Sequence, residues 1–399
     1  MESLPRAKWQ VATGFLLLVY MAGQIIFQQE SNVQYRNALN LLLVFVFLAD
    51  SILNRNYKIP FNGYLLSYGV FVFFSFLSFF WSSLPEVSYN TNITLVQVCL
   101  NNFLIYALLK RYRISHWMLS GVVVGAFFNY LIALGVYTPS YEIYRSLRFG
   151  GTFPNSNQLG IAMMFSIFAS LVFLRLYNNR YIQVVAVINI IFALYVSFLT
   201  GSRKGIFFSV ILAAIFLITQ FAKPRRILLF SLVILSIFYV FYDTFFSEGQ
   251  MEVIEYSIDR ADRMMDGFSG EEEEMEASTE GRILLAQKAG AVFLDNPFIG
   301  VGVNAFRYFT GGAYAHNNIM ELLACLGLIG FTLYYLGYFL ILRTYMMNKV
   351  AGNVLYFVLL LLILALDVGM VSYYEKGNLL MVVWLSAKLE ERTEQEGLA

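Results

Sequence analysis

The residues able to do chemistry in this chain collect in a few glycine-broken segments. One runs from Arg145 through Arg148, Gly150, Gly151, Thr152, Pro154, Asn155 and Asn157 to Gln158, where glycine and proline interrupt helix and amides and hydroxyls offer donors. A second is Thr200-Gly201-Ser202-Arg203-Lys204-Gly205. A third, Glu280-Gly281-Arg282, opens a stretch of amphipathic spacing over 280–294 that predicts a helix ahead of Pro297. A fourth is the turn-rich run Asn296-Pro297 to Phe306, with Gly300, Gly302 and Asn304, which leads to Ala315-His316-Asn317-Asn318. Guanidinium forks match phosphate oxygens, and glycine lets a backbone approach a ligand closely. A neutral imidazole near pH 7 is a proton acceptor, and His316 is one of two histidines. The other, His116, stands beside Arg113 and reads as an interfacial residue.

Membrane helices must position these segments. The 399 residues are 59% apolar and only 13% charged, too greasy for a soluble protein to cover its surface. Twelve apolar segments are long enough to cross a bilayer as helices: 12–28, 38–53, 63–81, 93–109, 117–136, 158–175, 181–199, 205–222, 227–246, 318–342, 352–370 and 373–388. The near-zero net charge hides a strong segregation. Sixteen Lys and Arg fall in one set of alternate connections, and six (Arg36, Arg145, Arg148, Arg203, Lys204, Lys376) in the short loops of the other. The positive-inside rule makes the first set cytoplasmic, with both termini inside. The one long connection, 247–316, is then external and carries thirteen of the twenty-six acids. Three regions follow: helices over 1–246, an external loop with short helices over 247–316, and the last spans with a cytoplasmic tail over 317–399. Cys99 and Cys325 lie in apolar stretches without metal-ligand spacing, and the consecutive carboxylates Glu271–Glu274 do not share one helix face. No metal site and no nucleic-acid partner is expected.

Each feature also has a structural reading. Arg203 and Lys204 suit a helix end that snorkels to head groups. Arg282 can pair with Glu280, and Asn155 or Asn157 can cap the sixth span. Arg145 and Arg148 suit lipid contact, and Gly327 and Gly330 close helix packing.

Taken in order, Gly151-Thr-Phe-Pro-Asn155-x-Asn157, Thr200-Gly-Ser-Arg203, Gly281-Arg282 before a helix, Pro297-x-x-Gly300-x-Gly302, and His316-Asn317-x-x-Met320 with Leu326-Gly327-x-x-Gly330 form a pattern. This pattern resembles the bacterial O-antigen ligases and the Wzy-type O-antigen and capsule polymerases, over about 140–345 by motif and elsewhere by span count. The resemblance implies an all-α, GT-C-like fold of about twelve transmembrane helices in the bacterial inner membrane, with an active site on the external side. It implies an undecaprenyl-diphosphate-linked glycan as donor and a sugar hydroxyl as acceptor, with membrane lipid around the site and no cofactor or metal. A chain-length regulator and a flippase of the same pathway are the implied protein partners. Arg203 and Arg282 match the family's functional arginines, and His316 its essential histidine. Arg145, Arg148, Lys204, Asn155, Asn157, Asn317, Glu321 and Tyr314 become substrate-binding candidates, with Tyr308 and Tyr314 able to stack on sugar rings.

One departure stands out: Cys325 occupies a place where the family often has an acid, which leaves Glu321 as the nearby carboxylate. The chemistry fits these assignments, since fixed cations stabilise a departing diphosphate and a neutral histidine can deprotonate a hydroxyl. A polymerase is expected, because nothing argues for a dedicated lipid A pocket. Ligation to lipid A core, transport of polysaccharide and a non-catalytic assembly role are the rivals.

Overall fold

The computed structural model describes residues 4–55, 60–145, 148–220, 277–347 and 354–395; the expected span at 227–246 and the Glu271–Glu274 run lie outside them. Its helices are α1 (Leu4–Ile26), α2 (Val33–Leu53), α3 (Gly63–Leu77), α4 (Pro85–Tyr112), α5 (Ser115–Ala133), α6 (Ser156–Leu176), α7 (Arg180–Leu199), α8 (Arg203–Gln220), α9 (Ala277–Asp295), α10 (Asn318–Met347), α11 (Val354–Leu366) and α12 (Lys376–Gln395). A two-residue hairpin, β1 (Tyr144–Arg145) and β2 (Arg148–Phe149), precedes α6.

Among the described residues eight helices are long and apolar enough to cross a membrane, and α11 is a shorter apolar helix. Helices satisfy their own backbone in hydrocarbon, which is why this composition takes that form. Large apolar side chains such as Phe45 and Phe73 point outward, 68% and 64% exposed, as a lipid-facing surface requires. The chain is a polytopic helical membrane protein. The helix expected over 280–294 is present as α9.

The contacts divide the chain into two units. The first comprises 1–13, 42–115 and 272–399, the second 14–41 and 116–271. In the first unit α3 lies along α10, where Phe71 meets Tyr334 at 5.2 Å between ring centroids and Gly337 leaves room for the Tyr64 ring. Ser67 adds a hydrogen bond to the Leu333 carbonyl at 2.6 Å. Small residues, aromatic packing and interhelical hydrogen bonds are the contacts available between helices once lipid removes the hydrophobic incentive. At the α2–α4 contact, Arg111 pairs with Asp50 at 2.5 Å and lies over the Phe47 ring; Asp50 also accepts hydrogen bonds from Tyr112 and Asn54.

In the second unit α6 is the central helix, packed by α7 and α8. Gly160 and Gly205 form the α6–α8 crossing, so close that a Cβ on Gly205 would stand 2.8 Å from the Gly160 Cα. Beside it Asn189 of α7 is satisfied by Ser166 and Ser170 of α6 and by the Tyr130 hydroxyl of α5.

Candidate functional site

In the first unit the site begins with a helix break. Gly327 sits at φ 62° and ψ −166° in the middle of α10, a conformation that glycine adopts without a Cβ clash. The break frees backbone groups on both sides, and the segment after α9 fills them. Leu328 and Ile329 N–H donate to the carbonyls of Pro297 and Phe298 at 2.8 and 3.1 Å; Val301 and Gly302 N–H donate to those of Ala324 and Cys325 at 3.1 and 2.8 Å. The two strands of chain pass so closely that a Cβ on Gly300 would lie 2.3 Å from Cys325 backbone, and one on Gly327 2.3 Å from Phe298 backbone. Gly327 therefore serves the break and the docking of 297–302, rather than the helix–helix packing expected from its spacing. Irregular backbone at membrane depth is tolerated where it is buried in protein in this way. Two serines hold the far edge of the segment: Ser78 accepts the Val303 N–H at 3.0 Å, and Ser88 donates to the Val303 carbonyl at 2.7 Å.

This platform carries His316. The histidine has φ 54°, a left-handed conformation unusual for a residue with a Cβ, and it is half-buried. Its neighbours are tied down on both sides. Glu321, fully buried in the first turn of α10, accepts the Ala315 N–H at 2.7 Å and faces the Cys325 thiol at 3.5 Å. Asn317 accepts the Met320 N–H at 3.1 Å, and so caps α10. Asn318 donates its own N–H to the Asp367 carbonyl at 2.7 Å and accepts from Ser372 and Tyr373 N–H at 2.9 and 3.1 Å, which anchors the start of α10 to the α11–α12 connection.

The Tyr314 ring leans on the imidazole, with centroids 4.1 Å apart, and the Arg307 guanidinium lies over Tyr314 at 5.3 Å. Burial raises the Tyr314 phenol above its ordinary pKa; Arg307 and Arg282 oppose the rise, while Glu375 and Glu321 add to it. The phenol therefore stays protonated at physiological pH. Both arginines thus lie within electrostatic reach of the ring beside His316, and Arg282, in α9, is exposed. Among the expected residues, then, the first unit gathers His316, Tyr314, Arg282, Glu321 and Asn317.

Residues 188–335 match a family model described as O-antigen ligase. Over that stretch the chain is similar to the O-antigen ligase family. A comparison with curated proteins gave no match. The matched stretch includes Arg203, Arg282, His316, Glu321 and the α10 break; the hairpin and the start of α6 precede it.

The other candidates belong to the second unit. Arg203 and Lys204 open α8, both half-buried. Arg148 is a clasp: its Nε donates to the Thr200 carbonyl at 2.9 Å and its Nη2 to Asn157 Oδ1 at 2.7 Å, which joins the Asn155-x-Asn157 segment to the turn before Arg203. Asn155 caps α6, accepting the Asn157 N–H at 2.9 Å. Arg145 pairs with Arg148 in the hairpin register, and its side chain lies outside the described residues. Gly151, at φ 54°, brings the turn against Asn129, whose Oδ1 accepts the Thr152 N–H at 2.9 Å.

Sequence reasoning missed Arg307 and Asp367. Arg307 lay in the long connection whose charges were set aside when the chain was oriented. Its signal was the place three residues after Asn304, directly after the turn-rich run that leads to His316. Asp367 stands at the end of an apolar stretch with no local pattern, and only its contact with Asn318 shows its use. Among the described residues no three His, Cys, Asp or Glu side chains group closely enough to hold a metal ion.

Proposed function

We propose that the protein is a polysaccharide polymerase, a membrane glycosyltransferase that moves a polyprenyl-diphosphate-linked glycan onto a sugar hydroxyl of a second lipid-linked repeat unit. His316 takes the proton of the attacking hydroxyl. The hydroxyl oxygen bonds to the anomeric carbon as the bond to the diphosphate breaks, and the leaving diphosphate keeps the electron pair. Arg282 meets its charge; Arg203 is put forward as a catalytic cation from its Thr-Gly-Ser-Arg motif alone. No metal is needed in this scheme, because fixed guanidinium groups do the work of charge stabilisation. The proposed topology has twelve spans, both termini cytoplasmic and His316 on the external side, where a flippase would deliver the donor and a chain-length regulator would act.

The observation that supports the reading is the stack of Tyr314 on His316 beside the break in α10, with the charge of Arg282 acting on Tyr314, in a stretch similar to the O-antigen ligase family. A second reading is favoured by the description of that family: ligation of the glycan to lipid A core. Purified protein incubated with lipid-linked repeat units alone separates them. The polymerase reading expects a ladder of products on a gel. A product that forms only when lipid A core is added would replace it with ligation.

A further inference from the structure

Arg307 is built like a ligand-binding arginine. It sits half-buried in the short 3-10 turn Ala305–Thr310. Its Nε donates to Asn304 Oδ1 at 2.9 Å, and Asn304, itself held at φ 56°, donates through Nδ2 to Thr91 Oγ1 of α4 at 3.0 Å. One edge of the guanidinium is thereby tethered, and its face is covered by Tyr314 at 5.3 Å. Among the described residues no carboxylate forms an ion pair with it, and no acceptor takes its two terminal amino groups. Elsewhere in the same unit, Arg111 has its carboxylate at 2.5 Å. Arg307 acts on the buried Glu321 through space only, without an ion-pair contact among the described residues. A half-buried guanidinium held, stacked and not closed by a carboxylate in this way is an arrangement that an incoming oxyanion completes; the planar fork suits two phosphoryl oxygens at once.

We propose that Arg307 is a third cation of the donor site, contacting a phosphoryl oxygen of the lipid-linked diphosphate through its terminal amino groups while Asn304 and Tyr314 fix its plane. This rests on the diphosphate donor proposed above. Arg282, which shares Tyr314's electrostatic surroundings, would face the same anion.

Binding of farnesyl diphosphate, farnesyl phosphate and farnesol to the purified full-length protein tests this, in wild type, Arg307→Gln and Arg307→Lys. Wild type should prefer the diphosphate to farnesol. Arg307→Gln should weaken diphosphate binding about 10- to 100-fold with farnesol binding unchanged, the range for a lost charge-assisted contact. Arg307→Lys should recover part of the affinity, because it keeps the charge. Diphosphate binding by Arg307→Gln equal to wild type would overturn the proposal. So would an equal loss of thermal stability in both variants with the diphosphate preference intact, which would reduce Arg307 to a support for Tyr314. If wild type itself does not distinguish farnesyl diphosphate from farnesol, the donor reading fails and Arg307's role falls with it.

Discussion

Two arginines in the same unit, Arg111 and Arg307, are used in opposite ways. Arg111 is nine-tenths buried and closed off: Asp50 at 2.5 Å, the Ser51 hydroxyl at 3.1 Å and the Phe47 ring leave its charge answered within the protein. Arg307 is equally well fixed, through Asn304 and Tyr314, but among the described residues no carboxylate reaches ion-pair distance of it, and Glu321 senses its charge only through space. The difference teaches that rigidity alone does not mark a functional cation. A buried guanidinium with its own carboxylate holds helices together; one with a scaffold and no carboxylate in contact among the described residues is the one proposed to take an anion from outside. Glu321 lies between these cases: its carboxylate accepts the Ala315 N–H, faces the Cys325 thiol and senses the Arg307 charge.

The contrast can be broken at several points. The largest effect is expected at His316, where His316→Ala should lower glycan transfer about 10²- to 10⁴-fold, the usual contribution of a general base. The melting temperature in detergent should stay close to wild type, because the tethers run through the neighbouring residues. Asp50→Ala should act the other way. Leaving Arg111 buried without its partner costs about 3–5 kcal/mol, visible as a lowered melting temperature and a smaller folded fraction, with transfer per folded molecule retained. Gly327→Ala combines a left-handed φ with a Cβ placed against Phe298 backbone, and should cost about 3 kcal/mol by thermal or chaotrope unfolding. The smallest effect is expected at Asn155→Ala. Loss of its cap costs about 1 kcal/mol of stability, and transfer per folded molecule should fall less than tenfold. A larger catalytic loss there would move Asn155 from helix capping to substrate contact.

What was legible in the sequence was local. Hydropathy over consecutive residues located most of the spans, and the apolar spacing after Gly281 found α9, because each depends on neighbours within a turn or two. The cap at Asn155 follows from the same short-range logic. The break in α10 was not legible. Gly327 looks like an ordinary packing glycine, and Gly300 like part of a loop turn, until residues 23 to 31 positions apart exchange backbone hydrogen bonds, and no periodicity encodes that pairing. The Asp50–Arg111 pair joins residues 61 positions apart in sequence and was equally hidden. Orienting the chain by charge singled out the few cations in the short loops of the less basic side, yet excluding the long connection removed Arg307 from view. His316 was legible by its rarity and its place at a polar–apolar boundary; the stack of Tyr314 and Arg307 that fixes it required the fold.

Glycan transfer at His316 with release of polyprenyl diphosphate is the proposal on which the other roles depend. It is tested most directly by counting, in purified protein supplied with lipid-linked repeat units and acceptor, the polyprenyl diphosphate released for each glycosidic bond made. Wild type should release one diphosphate per bond, and His316→Ala should still bind donor while forming bonds at least about 100-fold more slowly. Transfer by His316→Ala at the wild-type rate, or bond formation without diphosphate release, would contradict it.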